Sequence, residues 1–369
     1  MNMLSIWFLW CAMTQPDSLG TDYMTRAWDL IKVKEAWSLT QGDSTSLVGI
    51  VDMGFDFYHP DLQEVWMPGY FADGVYHPEL YEVVAHGTSV ASLIHALAPK
   101  CRILTASTGV IEHPLLRLKK QFFREHPDAT MKDFQQELVR HAPELQQWSN
   151  RWRRYVVRTT SEAIRYLVDH GVKVINLSVL LKSSEELEEA FRYAQEHDVV
   201  LVIGAGNNNR EYTDYPGSSL DNVLVVGAST LQDERWVVTK KVEGTPITQG
   251  SNYGSRLSVV APCESLIVAV PHEERFYRAD DSPLGPFNDT LTGIRDTVAF
   301  GATSLATPIV TALVALVRSL RPDLSAAEVV VIIEKSAKDI DPPGWDPYTG
   351  YGRVDFERAL NFAKHQGKK

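Results

Sequence analysis

An α/β fold of three layers, with a mostly parallel central sheet and helices on both faces, is predicted by three features of the 369-residue chain. Apolar runs of strand length recur from Ser46 onward, helical patterns separate them, and the runs are unbroken Val, Ile and Leu rather than alternating. Unbroken runs belong to strands covered on both faces, as a sheet between two helical layers requires.

In chain order, strands are expected at 47–51, 103–106, 172–177, 199–203, 223–226 and 266–270. Helices are expected between them, each opened by a capping box: Thr159 with Glu162 before 161–170, Ser183 with Glu186 before 184–197, and Ser325 with Glu328 before 326–337. One segment breaks the rhythm. From Val110 to Arg158 there is no strand signal, only amphipathic helical pieces divided by Pro114, Pro127 and Pro143. Met131, Phe134 and Leu138 share one helical face there, and Leu145, Trp148, Trp152 and Tyr155 share another. Ten basic and six acidic side chains give this segment a net +4 inside a chain of -11. The contrast marks it for an acidic partner, against the plainer expectation of a helical cap with a solvated basic face.

Composition narrows the function. A hydrophobic share of 44% with 22% charged residues excludes a disordered or fibrous chain. The acidic balance argues against nucleic-acid binding by the whole surface. Cys11, Cys101 and Cys263 are too few and too scattered for a disulfide framework, and no Cys or His falls at zinc spacing. No apolar stretch approaches the ~20 residues of a membrane span. The apolar run 4–13 has the length of an export signal but no preceding Lys or Arg, so a secretory leader and an N-terminal helix or strand are equal expectations, and localisation stays open between secreted, periplasmic and cytoplasmic.

Three short elements carry chemistry. The run Leu47-Val48-Gly49-Ile50-Val51-Asp52 ends a buried strand on a carboxylate, and open parallel sheets place functional groups at the carboxyl ends of their strands. His86-Gly87-Thr88-Ser89-Val90-Ala91 sets an imidazole ahead of small residues that let a helix approach its neighbour closely. Gly301-Ala302-Thr303-Ser304-Leu305-Ala306-Thr307-Pro308 places Ser304 at a helix N-terminus, where free N–H groups favour developing negative charge, with Pro308 expected in the first turn.

Taken together, the chain resembles the subtilisin-like serine proteases, the subtilase family, from about Trp28 to Phe362. Asp52, His86 and Ser304 match that family's motifs in order. Tyr58-His59-Pro60-Asp61-Leu62, Val174-Ile175-Asn176-Leu177-Ser178, Ala205-Gly206-Asn207, Tyr215-Pro216 and Gly350-Tyr351-Gly352 also stand where members have similar residues. The resemblance implies a subtilisin-like fold and a serine endopeptidase, with Asp52, His86 and Ser304 catalytic, Asn207 donating to the oxyanion, and a polypeptide substrate. It implies that Ser178, Val179 and Leu180 on one side, and Gly204, Ala205 and Gly206 on the other, pair with the substrate main chain by strand addition. The alternative is a catalytically weak or inactive binding module that uses the groove or the insertion.

Departures from the family pattern are Met53 after the Asp, Ala302 before Thr303, Leu180 and Leu181 in place of glycines beside the specificity pocket, Cys263, and Ser89. No metal or cofactor is required by this chemistry, and structural calcium is left open. A monomer is expected. The organisation expected is a leader or extension at 1–21, one catalytic body at 22–363 with the insertion at 110–158, and a polar tail at 364–369.

Overall fold

The computed structural model describes residues 18–57, 59, 61–62, 64–72, 86–108, 114–242, 245–269, 296–340 and 342–366. Residues 1–17 of the expected leader with Cys11, Tyr58 and Pro60 of the resemblance, 110–113 of the insertion, 270 of the last expected strand and 367–369 of the expected tail lie outside them.

Seven parallel strands form the centre. They are β1 (Leu47–Asp52), β2 (Trp66–Phe71), β3 (Arg102–Ser107), β4 (Val174–Leu177), β5 (Val200–Gly204), β6 (Val223–Ser229) and β9 (Val259–Pro262), in the order β2-β3-β1-β4-β5-β6-β9. Two antiparallel pairs flank the sheet: β7 (Val237–Val242) with β8 (Thr245–Gly250), and β10 (Glu264–Ala269) with β11 (Asp296–Phe300). The run expected at 266–270 is a strand, β10, but not of the parallel sheet; β9 takes the last place beside β6, and β10 pairs antiparallel with β11.

One face of the sheet is covered by α1 (Ser18–Leu30), α2 (Val33–Trp37), α3 (His86–Leu97), α8 (Thr303–Leu320), α9 (Ala326–Ser336) and α10 (Phe356–His365). The other face carries the end of α6 (Ala142–Asp169) and α7 (Glu185–Glu196). In β5, Val200 and Val202 join the first core while Leu201 and Ile203 join the second, which is why the strand reads as unbroken apolar sequence. Gly49 leaves room on β1 for Leu167 of α6, whose Cδ1 would stand 3.0 Å from a Cβ there. Helix α1 begins at Ser18, ahead of the boundary expected at 22, and sends Ala27 into the core. Thr303–Leu320 is long and apolar enough to cross a membrane, but 83% of it is buried inside the fold. It is the core helix.

The insertion is helical, as expected: α4 (Pro114–Glu125), α5 (Met131–Arg140) and the first half of α6. Its capping differs. Thr159 does not open a helix; its hydroxyl donates back to Tyr155 O at 2.9 Å, and one helix of 28 residues runs through from the insertion onto the sheet. Glu162, expected as its capping partner, instead accepts from Tyr70 OH at 2.6 Å and pairs with Arg158 at 3.2 Å. On α7 the cap is Ser184 rather than Ser183, whose hydroxyl donates to Glu188 at 2.5 Å. The Ser325 and Glu328 box is present as expected.

Candidate active site

The carboxyl ends of β1, β4 and β5, three neighbours in the sheet, carry Asp52, Ser178 and Asn207. Helices α3 and α8 bring His86 and Ser304 to the same edge, packed against each other over one core. This is the edge where open parallel sheets bind ligands.

Asp52 is buried, and both of its oxygens are used. Oδ1 accepts from Met53 N at 2.8 Å, and Oδ2 lies 2.7 Å from His86 Nδ1. Met53 thus serves through its backbone, so the missing hydroxyl at that position leaves the carboxylate bonded. The turn after β1 is held by Thr108 N on Asp52 O at 2.9 Å and Ser107 Oγ on Met53 O at 2.9 Å. His86 is the first residue of α3, and the helix comes close because the next residue is glycine: a Cβ on Gly87 would stand 2.4 Å from Gly54 O. Ser89 bonds Ala269 O at 2.8 Å, and Ser92 accepts from Ala269 N at 3.0 Å, so the helix is also tied to β10. Burial of the ring opposes its protonation, yet the Asp52 charge and hydrogen bond outweigh burial and hold the His86 pKa above its ordinary value.

Ser304 is the second residue of α8. Its Oγ donates to Ser178 O at 3.2 Å, and Ser178 Oγ donates to Ser304 O at 3.0 Å. The second bond has a cause in the sequence. Pro308 lies in the helix interior, not in the first turn as expected, and has no N–H to give the Ser304 carbonyl four residues earlier. Ser178 satisfies that carbonyl instead. Behind it, Asn176, fully buried on β4, donates to Ser178 Oγ at 2.9 Å and accepts from Thr311 of α8 at 2.9 Å. Ala302 caps α8 in extended backbone (φ -165°), which any residue adopts, so its extra methyl brings no strain. The demanding position is Gly301, at φ +61°, where a Cβ would stand 2.3 Å from Trp236 Nε1.

Asn207 accepts at Oδ1 from Thr303 N at 2.8 Å and from Thr303 Oγ1 at 3.0 Å. A backbone N–H can only donate, so the atom on α8 is the amide oxygen, and Nδ2 has no acceptor among the described residues. The next N–H of the helix, that of Ser304, has no acceptor among the described residues. The Thr303 hydroxyl also accepts from Gly206 N at 3.1 Å.

One expectation needs correction. The backbones of Gly204, Ala205 and Gly206 are not a free edge for strand addition. Gly204 pairs with Val226 in the sheet; Ala205 O accepts from Tyr215 OH and Asn252 Nδ2, both at 2.9 Å; Gly206 O accepts from Asn252 N at 2.8 Å. Val179 and Leu180, by contrast, have no backbone partner among the described residues, and Val179 is 40% exposed.

Sequence reasoning missed Asn252. Fully buried, it also accepts from Asn208 N at 3.0 Å and Arg210 N at 3.3 Å, and so shapes the loop that presents Asn207. No motif surrounds it to give a signal. Thr311 and the structural part played by Asn176 were also missed, although an Asn inside an apolar strand is itself a signal of a buried partner. Cys101 and Cys263 are buried free thiols whose pKa burial raises, so neither offers a thiolate. Among the described residues no three His, Cys, Asp or Glu side chains gather as metal ligands would.

Comparison with known proteins bears on the family and the fold. A thermophilic serine proteinase of Bacillus sp. (strain AK1) is 28% identical over 329 residues, 89% of this chain and 64% of the relative. Fervidolysin of Fervidobacterium pennivorans is 27% identical over 357 residues, 92% of this chain and 44% of the relative. The chain therefore spans only part of each. The crystal structure of a lanthipeptide protease superposes with a TM-score of 0.63 at 21% identity, covering 92% of this chain and 94% of that one, a likeness of fold. The subtilase family model matches residues 43–352, by far the greater part of the chain, and the protein belongs to the subtilase family.

Proposed function

We propose that the protein is a serine endopeptidase in which Ser304 is the nucleophile, His86 the general base and acid, Asp52 the group that orients His86, and Asn207 an oxyanion donor. The observation that carries this reading is the 2.7 Å bond from the buried Asp52 carboxylate to His86 Nδ1 at the mouth of α3. That bond places the ring proton on Nδ1 and leaves Nε2 as the acceptor. The Ser304 hydroxyl turns from Ser178 O to His86 Nε2, gives up its proton, and Oγ attacks the peptide carbonyl. Negative charge on the carbonyl oxygen is met by Asn207 Nδ2 and the unengaged Ser304 N–H at the α8 N-terminus. His86 then passes its proton to the leaving amine, and water resolves the acyl-enzyme by the same steps in reverse. The peptide main chain lies along the unpaired backbone of Val179 and Leu180.

The test is covalent labelling of the full chain with a fluorophosphonate probe at neutral pH, with Ser304→Ala as control. Stoichiometric labelling of the wild type and none of the variant is expected. A folded wild type that does not label would overturn the reading and leave the binding module.

A further inference from the structure

Past the carboxyl ends of β4 and β5 the chain continues as Ser178-Val179-Leu180 on one side and Ala205-Gly206-Asn207 on the other. In the mechanism above, the attacked carbon sits at Ser304 Oγ, which rests on Ser178 O, and the carbonyl oxygen sits on the far side, at Asn207 Nδ2. The reacting carbonyl thus bridges the two extensions, and the side chain attached beside it enters the crevice between them.

That crevice already holds a side chain. Ser178 points its Oγ at Ser304, and two residues on, Leu180 leans across to the opposite extension. A Cβ on Gly206 would stand 2.9 Å from Leu180 Cδ2 and 3.2 Å from Cδ1, so the isobutyl group lies directly over the Gly206 backbone. Gly206 has φ +92°, a conformation that favours glycine, so the extension presents bare backbone for Leu180 to cover. Asn252 Nδ2, 2.6 Å from the same hypothetical Cβ, closes the space from the other direction. Leu180 is anchored where it lies, half-buried against the core cluster that contains Leu181, Ala205 and Tyr215.

We infer that Leu180 takes up the space that the side chain of the attacked residue would need, so that this chain selects substrates with glycine, alanine or serine at that position and rejects large apolar and aromatic residues. The inference rests on the protease reading and specifies its substrate class. Where a pocket is tight, a surplus of one methylene changes kcat/KM by roughly 10- to 200-fold. A phenyl ring exceeds the alanine methyl by far more than that.

The experiment uses one set of peptide p-nitroanilides that differ only in the attacked residue (Gly, Ala, Ser, Leu, Phe), assayed on the full-length wild type, Leu180→Ala and Leu180→Gly. Fluorophosphonate labelling of Ser304 is run beside it. The wild type is expected to favour Ala over Phe by about thirtyfold or more, and the variants to bring that ratio within about threefold of unity. Labelling reports for each protein whether Ser304 is folded and reactive, and the Ala-to-Phe ratio is read only from proteins that label. A wild type that labels normally and hydrolyses the Phe or Leu peptide as fast as the Ala peptide sinks this inference and leaves the protease reading standing; that series needs no variant, so misfolding of either one cannot hide the result. A folded variant with the wild-type Ala-to-Phe ratio removes Leu180 from the role. If the folded wild type neither labels nor hydrolyses any peptide, both readings fall.

Discussion

At the carboxyl edge of the sheet, polar side chains are held by partners far away in sequence, whereas in the insertion they are held by partners three or four residues away. Asp52 meets His86 across 34 positions, Asn207 meets Thr303 across 96, and Asn176 meets Thr311 across 135. In the insertion, Gln121 bonds Glu125, Arg140 bonds Glu137, and His141 lies between Glu137 and Glu144. The edge groups are largely withdrawn from water and cannot find their partners unless the whole sheet forms. The insertion's pairs need only one helical turn or the short junction at His141, and are worth a few tenths of a kcal/mol each. The precise geometry of the candidate site is therefore built where the fold is most collective, while the insertion's polar groups are set by local pairs.

Substitutions should grade along that contrast. Asp52→Asn keeps the shape but gives His86 the wrong tautomer, and kcat should fall about 10⁴-fold, the magnitude known for such a change in a serine protease of established mechanism. The same variant has a pH signature. Activity needs neutral His86, so kcat/KM rises as pH passes its pKa; with the carboxylate gone, burial alone acts and the rise moves to lower pH. A rise that stays in place would mean that Asp52 does not set the His86 pKa. Asn207→Ala should cost about 10²- to 10³-fold in kcat with little change in KM, a magnitude established on subtilisin itself; a change confined to KM would make Asn207 a binding residue only.

Asn176→Ala removes the amide that donates to Ser178 Oγ and accepts from Thr311 Oγ1, leaving those hydroxyls only their bonds to Ser304 O and Thr307 O. A loss of about 1–3 kcal/mol in denaturant unfolding is expected, and less than about 0.5 would show that the network is not cooperative with the fold. Thr159→Val distinguishes a cap from a mid-helix residue while keeping the buried volume. An N-cap would lose about 1 kcal/mol, while a Thr that bonds back to Tyr155 should lose less than about 0.5, because valine fills the same space and the Tyr155 carbonyl keeps its helical bond. Arg140→Ala removes an exposed pair with Glu137 and should change stability by no more than about 0.5 kcal/mol. A larger loss would mean that the insertion is knitted into the body more tightly than its local pairs indicate.

The same contrast explains what could be read from the sequence. Strands β1, β3, β5 and β6 announce themselves because burial on both faces fills them mostly with Val, Ile, Leu and Ala. Strand β2 hides behind Pro68 and Gly69; the glycine is there because Thr105 O would stand 2.4 Å from a Cβ, a tertiary reason with no local trace. The β7 and β8 hairpin carries Thr and Lys rather than an apolar run. Asp52, His86, Ser304 and Asn207 each sit in a recognisable motif, and the structure brings the first pair and the last pair into direct or one-residue contact. The groups that steady them do not: Asn252 is an ordinary asparagine until the fold brings Ala205, Asn208 and Arg210 around it. The Thr159 error has the same root, since a capping pattern is local evidence and the continuous helix is decided by packing on the sheet.

Helix α8 ties two properties of the molecule together. Ser304 stands at its start, and from Leu305 to Arg318 every residue is buried. An opening that released the Ser304 turn would disturb the rest of the core, so the candidate active site has no weaker melting unit of its own. Heat or denaturant should remove catalysis and tertiary structure along a single curve, which makes a simple rate assay a direct gauge of how much of this protein is folded.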